Sequence, residues 1–368
     1  MKKILHMTPA DIRSGVYRYV FSNLEHMDAE TYQFGFLTRA ADQLEKCEEY
    51  KKLNFHIHPF FSTQRDDPDR LIREVKNVLS DYDIIHLHTS SWRGFLIEEL
   101  AMEMKLQKVI VHSHSTGIDI TNEEERKKQI EEHIVYRNQF SEKYATDFCA
   151  CSHNAAEWLF GESIPKYKIK YMPNAVDTLK FKYDDTKRNK IRNQWGLTSK
   201  FVIGHVGRYS YTKNQQFLFE CIYELKKSIP NIMLICIGQG ELQQEFEQAI
   251  IKMHLEKNIF LLGWQDNIED YLSAFDLFCL PSKFEGFPIS LVEAQTSGLP
   301  CLVSNNVTRE VKLTDLIEYL PNNCDVWVDR ILYYIKAEKI NRLRYREEIC
   351  SKGYDIRQSA RKLENLYK

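Results

Sequence analysis

Residues 278–304 read FCLPSKFEGFPISLVEAQTSGLPCLVS. The apolar run at 275–280 predicts a buried strand, and the polar and flexible residues from Ser282 to Phe287 predict a loop. Pro288, with its fixed φ, is expected at the first helical position, and Ile289, Leu291, Val292 and Ala294 give that helix an apolar face. Gly298 and Pro300 stop it, and 301–304 starts another strand. A strand–helix–strand unit of this kind points to an α/β fold.

Two carboxylates frame the unit, Glu285 in the loop and Glu293 in the second turn of the helix. The amides of Ile289, Ser290 and Leu291 would point out of the helix N-terminus, where an anion is favoured. Ionised carboxylates only accept hydrogen bonds, so beside a phosphate site they suit hydroxyl groups. That combination fits a nucleotide sugar, with hydroxyls on either side of a pyrophosphate. The plainer alternative is a βαβ unit with two solvated glutamates.

The chain has 368 residues, enough for two α/β domains. A formal net charge of −2 gives no global field for nucleic acid. Met1-Lys2-Lys3 leads straight into a short apolar strand, too short for a signal-peptide core, and no run is long enough to span a bilayer. Nine cysteines, an odd number without a CxxC pair, read as reduced core residues of a cytoplasmic protein.

Strand and helix patterns alternate from the first residue. Strands are expected at 3–7, 34–37, 84–88, 108–112, 147–151 and 169–172, and helices at 69–79, 93–105 and 122–144. Ligands of such sheets sit beyond the carboxyl ends of the strands. Gly15, after the first strand, could admit a ligand to a helix start or merely shape the turn. His86 with His88, and His112 with His114, are two apart and share a strand face. No carboxylate or cysteine completes a metal set at ligand spacing, so no metal is expected. Nine basic residues against three acidic ones between Lys166 and Arg192 read as a solvated surface, with peripheral contact to anionic lipid as the alternative.

The second half opens with a strand at 200–206, followed by Gly207-Arg208 and by Lys213-Asn214 ahead of a helix. A cation at each end of a short loop makes a sensible pyrophosphate clamp. A strand at 232–237 ends in Gly238-Gln239-Gly240, and another precedes Trp264-Gln265-Asp266. Helices are expected at 325–337, 341–350 and 354–367.

Glu285 and Glu293, with seven residues between them and Gly286-Phe287-Pro288 inside, resemble the E-x7-E signature of retaining glycosyltransferases of family 4, in the bacterial exopolysaccharide and capsule branch. Gly207-Arg208 with Lys213-Asn214 resembles that family's G-R-x4-K-N motif, and Ser14-Gly15 stands where its members usually show Gly-Gly. The resemblance implies a GT-B architecture: two Rossmann-like α/β domains with parallel sheets facing a central cleft. These would be an acceptor-side domain, 1–176, completed by the helix 354–368, and a nucleotide-sugar domain, 177–353.

It further implies that Arg208 and Lys213 bind the donor diphosphate, Glu293 the ribose and Glu285 the transferred sugar, with His114 facing donor sugar and acceptor. Gly15, Gly238, Gln265, Gly286, Phe287, Pro288, Ile289, Ser290 and Leu291 would complete the donor site. The implied partners are a nucleotide-sugar donor, with UDP as the expected base carrier, and a saccharide or lipid-linked saccharide acceptor. No metal cofactor is implied. A nucleotide-sugar epimerase of the same fold and a non-catalytic sugar-nucleotide-binding subunit are the competing readings.

Overall fold

The computed structural model describes residues 1–48, 50–338 and 340–368. Its strands are β1 Lys2–Met7, β2 Tyr32–Thr38, β3 Phe55–Pro59, β4 Ile84–Thr89, β5 Lys108–Ser113, β6 Asp147–Ala150 and β7 Ile169–Tyr171. They continue with β8 Phe201–Val206, β9 Ile232–Ile237, β10 Ile259–Leu261, β11 Leu277–Leu280, β12 Cys301–Ser304 and β13 Ile317–Leu320. All of these pair in parallel, with helices between them.

Two compact units result. One comprises Met1–Ile118, Asn122–Ala175 and Ile356–Lys368; the other comprises Asp119–Thr121 and Val176–Asp355. Val176 goes with the second because its N–H donates to Tyr354 O at 3.1 Å and it bridges to Asp355. The first unit's sheet has the order β3-β2-β1-β4-β5-β6-β7, and the second's has β10-β9-β8-β11-β12-β13. Strand order reverses beside β1 in the first and beside β8 in the second. In such sheets the crevice at the reversal is where ligands bind.

The unanticipated strands β3 and β13 both lie at sheet edges. Edge strands have one neighbour and need no continuous apolar run, so FHIHP and IEYL carry a weak signal. The basic stretch before β8 also differs from a bare solvated surface. It contains a helix, Asp185–Gln194, whose Arg188 and Arg192 bond Asp276 at 2.5 and 3.0 Å and the carbonyls of Ser273, Ala274 and Phe275. Lys168 pairs with Glu142, and Lys170 with Asp147. Much of that positive charge is matched within the fold.

The helix Ile356–Tyr367 belongs to the first unit. Ala360, Leu363, Leu366 and Tyr367 join its apolar core beside Ile4, Tyr19 and Ile84. Lys2 Nζ donates to Tyr367 O at 2.7 Å and Lys108 Nζ to Leu366 O at 2.5 Å, which ties the helix end to β1 and β5.

Candidate active site

In the second unit the loops after β8, β9 and β11 meet at the reversal in strand order. Gly207 N donates to Ile237 O, and Tyr209 N to Gln239 O at 3.1 Å, so the loops after β8 and β9 run together. A Cβ on Gly238 would lie 2.1 Å from Gly207 O, and one on Gly240 2.2 Å from Tyr209 O. Gly238 also has φ +145°, which side chains rarely adopt. Only glycine lets these two loops touch.

Lys213 and Glu285 come together here. Lys213 Nζ donates to Glu285 Oε1 at 2.6 Å, and Ser282 Oγ donates to the same oxygen at 2.7 Å. Their side chains are only 18% and 10% exposed, so solvent screens this pair weakly. Arg208 pairs with Glu241 at 3.0 Å, but with side chains 47% and 38% exposed it is a looser surface contact. Gln215 Nε2 holds Arg208 O at 2.7 Å, and Asn214, left-handed at φ 55°, holds Pro281 O through Nδ2. Asn214 caps the following helix, Gln215–Leu225, which begins two residues after Lys213.

The helix Ile289–Thr296 departs from expectation by one position. Pro288 is its N-cap, with ψ 113°, rather than its first helical residue. Leu291 N is not available as expected, because it donates to Pro288 O at 3.2 Å. The N–H groups of Ile289 and Ser290 have no acceptor among the described residues. Glu293 is buried at 1% exposure, so it is no solvated glutamate. Gly286 and Phe287 are buried, and Phe287 stacks on Tyr354 with centroids 5.8 Å apart. Gln265, beyond β10, is tied to Leu262 O and to Tyr271 Oη. Trp264 is 37% exposed and bonds Asp266, which removes it from the core.

Gly15 and His114 lie in the first unit. Gly15 opens the helix Gly15–Leu24, capped by Ser14, whose side chain accepts from Tyr17 N. His114 ends a cluster that the sequence had shown only in part. Parallel register sets His6 of β1 beside His86 of β4, and His88 beside His112 of β5. His6 Nδ1 and His88 Nε2 are 3.0 Å apart, and His88 Nδ1 and His114 Nε2 are 2.9 Å apart. His86 links His112 at 3.2 Å to the Tyr367 hydroxyl at 2.8 Å. Burial pushes His6 and His114 down to about 3, and His86, His88 and His112 well below the usual range. All five are therefore neutral near pH 7.

Two groups of three, His6–His86–His88 and His88–His112–His114, bring ring nitrogens within 4.8 Å and are where a borderline-soft cation could be held. Most of those nitrogens face one another at hydrogen-bonding distance. His6, Glu241 and Ser282 are the residues sequence reasoning missed. Only Glu241, directly after Gly238-Gln239-Gly240, carried a signal that could have found it.

Comparison with known proteins agrees with this architecture. Residues 13–180 match the family described as Glycosyltransferase Family 4, and 187–348 match Glycosyl transferases group 1. EpsF of Bacillus subtilis (strain 168), named as a glycosyltransferase, is 29% identical over 100% of this chain and 96% of its own length. An Escherichia coli protein named UDP-Gal:alpha-D-GlcNAc-diphosphoundecaprenol alpha-1,3-galactosyltransferase is 26% identical over 99% of this chain and 96% of its own. The Anabaena protein HepE, solved with UDP and glucose, superposes with a TM-score of 0.79 at 19% identity, covering 100% of this chain and 99% of its own, and so shares the fold. No helix among the described residues is long and apolar enough to cross a membrane. With family 4 sequence in its first half, group 1 sequence in its second and two parallel Rossmann-like sheets, the chain belongs to the family 4-like GT-B glycosyltransferases.

Proposed function

We propose that the chain transfers a sugar, with retention of anomeric configuration, from a UDP-sugar to a saccharide or lipid-linked saccharide in extracellular polysaccharide synthesis. The observation that carries this reading is the Lys213–Glu285 pair at the strand-order reversal, beside the Arg208 loop. Supporting it are the UDP and glucose bound by HepE and the lipid diphosphate acceptor in the E. coli relative's name.

Arg208 and Lys213 take the diphosphate oxygens and stabilise the negative charge that grows on the leaving phosphate. With two cations in that place the reaction needs no metal. Glu293 accepts from the ribose hydroxyls and Glu285 from those of the transferred sugar. The acceptor hydroxyl attacks the face the phosphate leaves, and the departing phosphate oxygen takes its proton. Peripheral contact with the membrane carrying a lipid-linked acceptor belongs to the same reading.

The test is a thermal-shift panel of UDP-, GDP-, ADP- and dTDP-sugars, since a ligand that binds only the folded state raises its melting temperature. Product analysis by NMR then follows with the stabilising donor. An α-linked product from an α-linked UDP-sugar is expected. An inverted product, or a sugar changed without any acceptor, overturns the proposal.

A further inference from the structure

The two buried histidine chains leave two ring nitrogens, His6 Nε2 and His112 Nε2, fully enclosed without a hydrogen-bond partner. The first decides a proton position at the far end of its chain. His6 is at 0% exposure and its ring stacks on Phe36 with centroids 5.6 Å apart. A neutral imidazole carries one N–H and one lone pair. Burying an N–H with no acceptor costs its full desolvation, and orphaned buried N–H groups are rare. The enclosed Nε2 is therefore the lone pair, and the proton sits on Nδ1.

The same rule can be read directly at His205 of the second unit. Its Nδ1 lies 2.9 Å from Cys279 O, and a carbonyl only accepts, so Nδ1 carries the proton. The enclosed nitrogen without a partner is again Nε2, the lone pair.

With its proton on Nδ1, His6 donates to His88 Nε2 across 3.0 Å. His88 Nε2 then has no proton of its own, so His88 Nδ1 does, and it donates to His114 Nε2 across 2.9 Å. His114 in turn is left with its proton on Nδ1, which no described residue accepts. We infer that His6 and His88 are positioning residues that lock His114 as a neutral Nδ1–H donor. The locked ring offers one N–H to an acceptor oxygen of a bound sugar hydroxyl and cannot act as a base through that nitrogen. The inference rests on the proposed function in taking a sugar as the ligand, and on the family resemblance in taking His114 to face it; the proton placement stands without either.

The test is long-range nitrogen–proton NMR on the ¹⁵N-histidine-labelled full chain, with signals assigned through single His→Gln variants. His114 is expected with a pyrrole-type Nδ1 and a pyridine-type Nε2, unchanged from pH 8 down to pH 6. The His6→Phe variant, which lacks the first donor, is expected to give mixed tautomers at His114. It should also lose about tenfold in kcat/KM with the stabilising UDP-sugar, the worth of one hydrogen bond. His6→Asn, whose amide can stand in for Nδ1–H, should restore both; its pattern controls for a merely misfolded His6→Phe.

A pyridine-type Nδ1 at His114 overturns the inference, whatever the activity. So does stoichiometric zinc or copper in the purified protein, since a metal would take the lone pairs this chain assigns to hydrogen bonds. The expected tautomers with full activity in both His6→Phe and His114→Ala would overturn the placement of His114 at the sugar instead.

Discussion

Lys213 Nζ and Glu285 Oε1 stand 2.6 Å apart, 72 residues apart in sequence, with Ser282 Oγ donating to the same carboxylate oxygen. The lysine thus holds the carboxylate, besides the phosphate-binding role proposed for it. Arg208, by contrast, leans on Glu241 at the surface. Truncating the two cations should therefore differ in kind. Arg208→Ala is expected to weaken UDP binding by about tenfold to a hundredfold, the range of a charge-assisted hydrogen bond worth about 1.5–3 kcal/mol. Lys213→Ala should weaken it similarly and lower kcat as well, because Glu285 loses its orienting partner. Calorimetry with UDP and steady-state kinetics of both variants check this.

The two glutamates should separate kinetically. Glu293, inside the helix and 1% exposed, is assigned to the part of the donor that stays behind as nucleotide. Its contacts are alike in ground and transition states, so Glu293→Gln should chiefly raise donor KM. Glu285 is assigned in the proposed function to the sugar, where charge develops, and Glu285→Gln should lower kcat far more than it raises KM. Equal losses of kcat in the two variants would contradict this division.

Gly238→Ala should damage the proposed donor site through the backbone. The added Cβ meets the Gly207 carbonyl at 2.1 Å, and backbone cannot swing aside as a side chain can. A loss of roughly 1–3 kcal/mol of stability is expected, read by denaturant unfolding, with UDP affinity falling because Arg208 is the next residue along.

Two buried groups should pull stability in opposite directions across the same stretch of pH, about 4 to 7. Burial pushes the Glu98 carboxyl from 4.5 up to about 7. A raised carboxyl stabilises the fold below pH 4.5 and loses that contribution as pH rises through 7. The full difference is about 3 kcal/mol. Glu98→Gln should accordingly raise the melting temperature more at pH 8 than at pH 5. In the opposite sense, burial lowers His205 from 6.5 to about 4. Neutral in both states above pH 6.5, it costs stability as pH falls from there toward 4, because only the unfolded chain then takes up the proton. His205→Gln should flatten that limb in thermal scans across pH 4–7.

The fold was legible where strands read as apolar runs, and the candidate site where it is built from loops at strand ends. β8, β9 and β11 are apolar runs bounded by glycine or proline, and their loops carry Arg208, Lys213 and Glu285 in recognisable spacing. Of the four edge strands, β7 and β10 were read from the sequence, while β3 and β13 were lost because one open side permits polar residues such as His56 and Glu318. The helix Asp185–Gln194 was lost for another reason: with only Ile191 and Arg192 buried, it is held by arginine bonds to carbonyls and Asp276 rather than by an apolar stripe. The five-histidine cluster was half visible. The i, i+2 pairs gave the shared face, but that His6 sits between them depends on β1 lying next to β4, which sequence does not state.

The helix Ile356–Tyr367 has a consequence for how the protein is made. Its Leu363, Leu366 and Tyr367 fill a core whose other members lie before residue 176, and its end is fastened to Lys2 and Lys108. On the ribosome those earlier residues emerge first and must wait for the whole of Val176–Asp355 to be synthesised before their last wall arrives. The second unit, continuous in sequence apart from Asp119–Thr121, faces a far shorter wait. Nascent chains halted near residue 340 should therefore carry an unfinished first unit, open to proteases and chaperones, that closes only once the helix Ile356–Tyr367 has emerged.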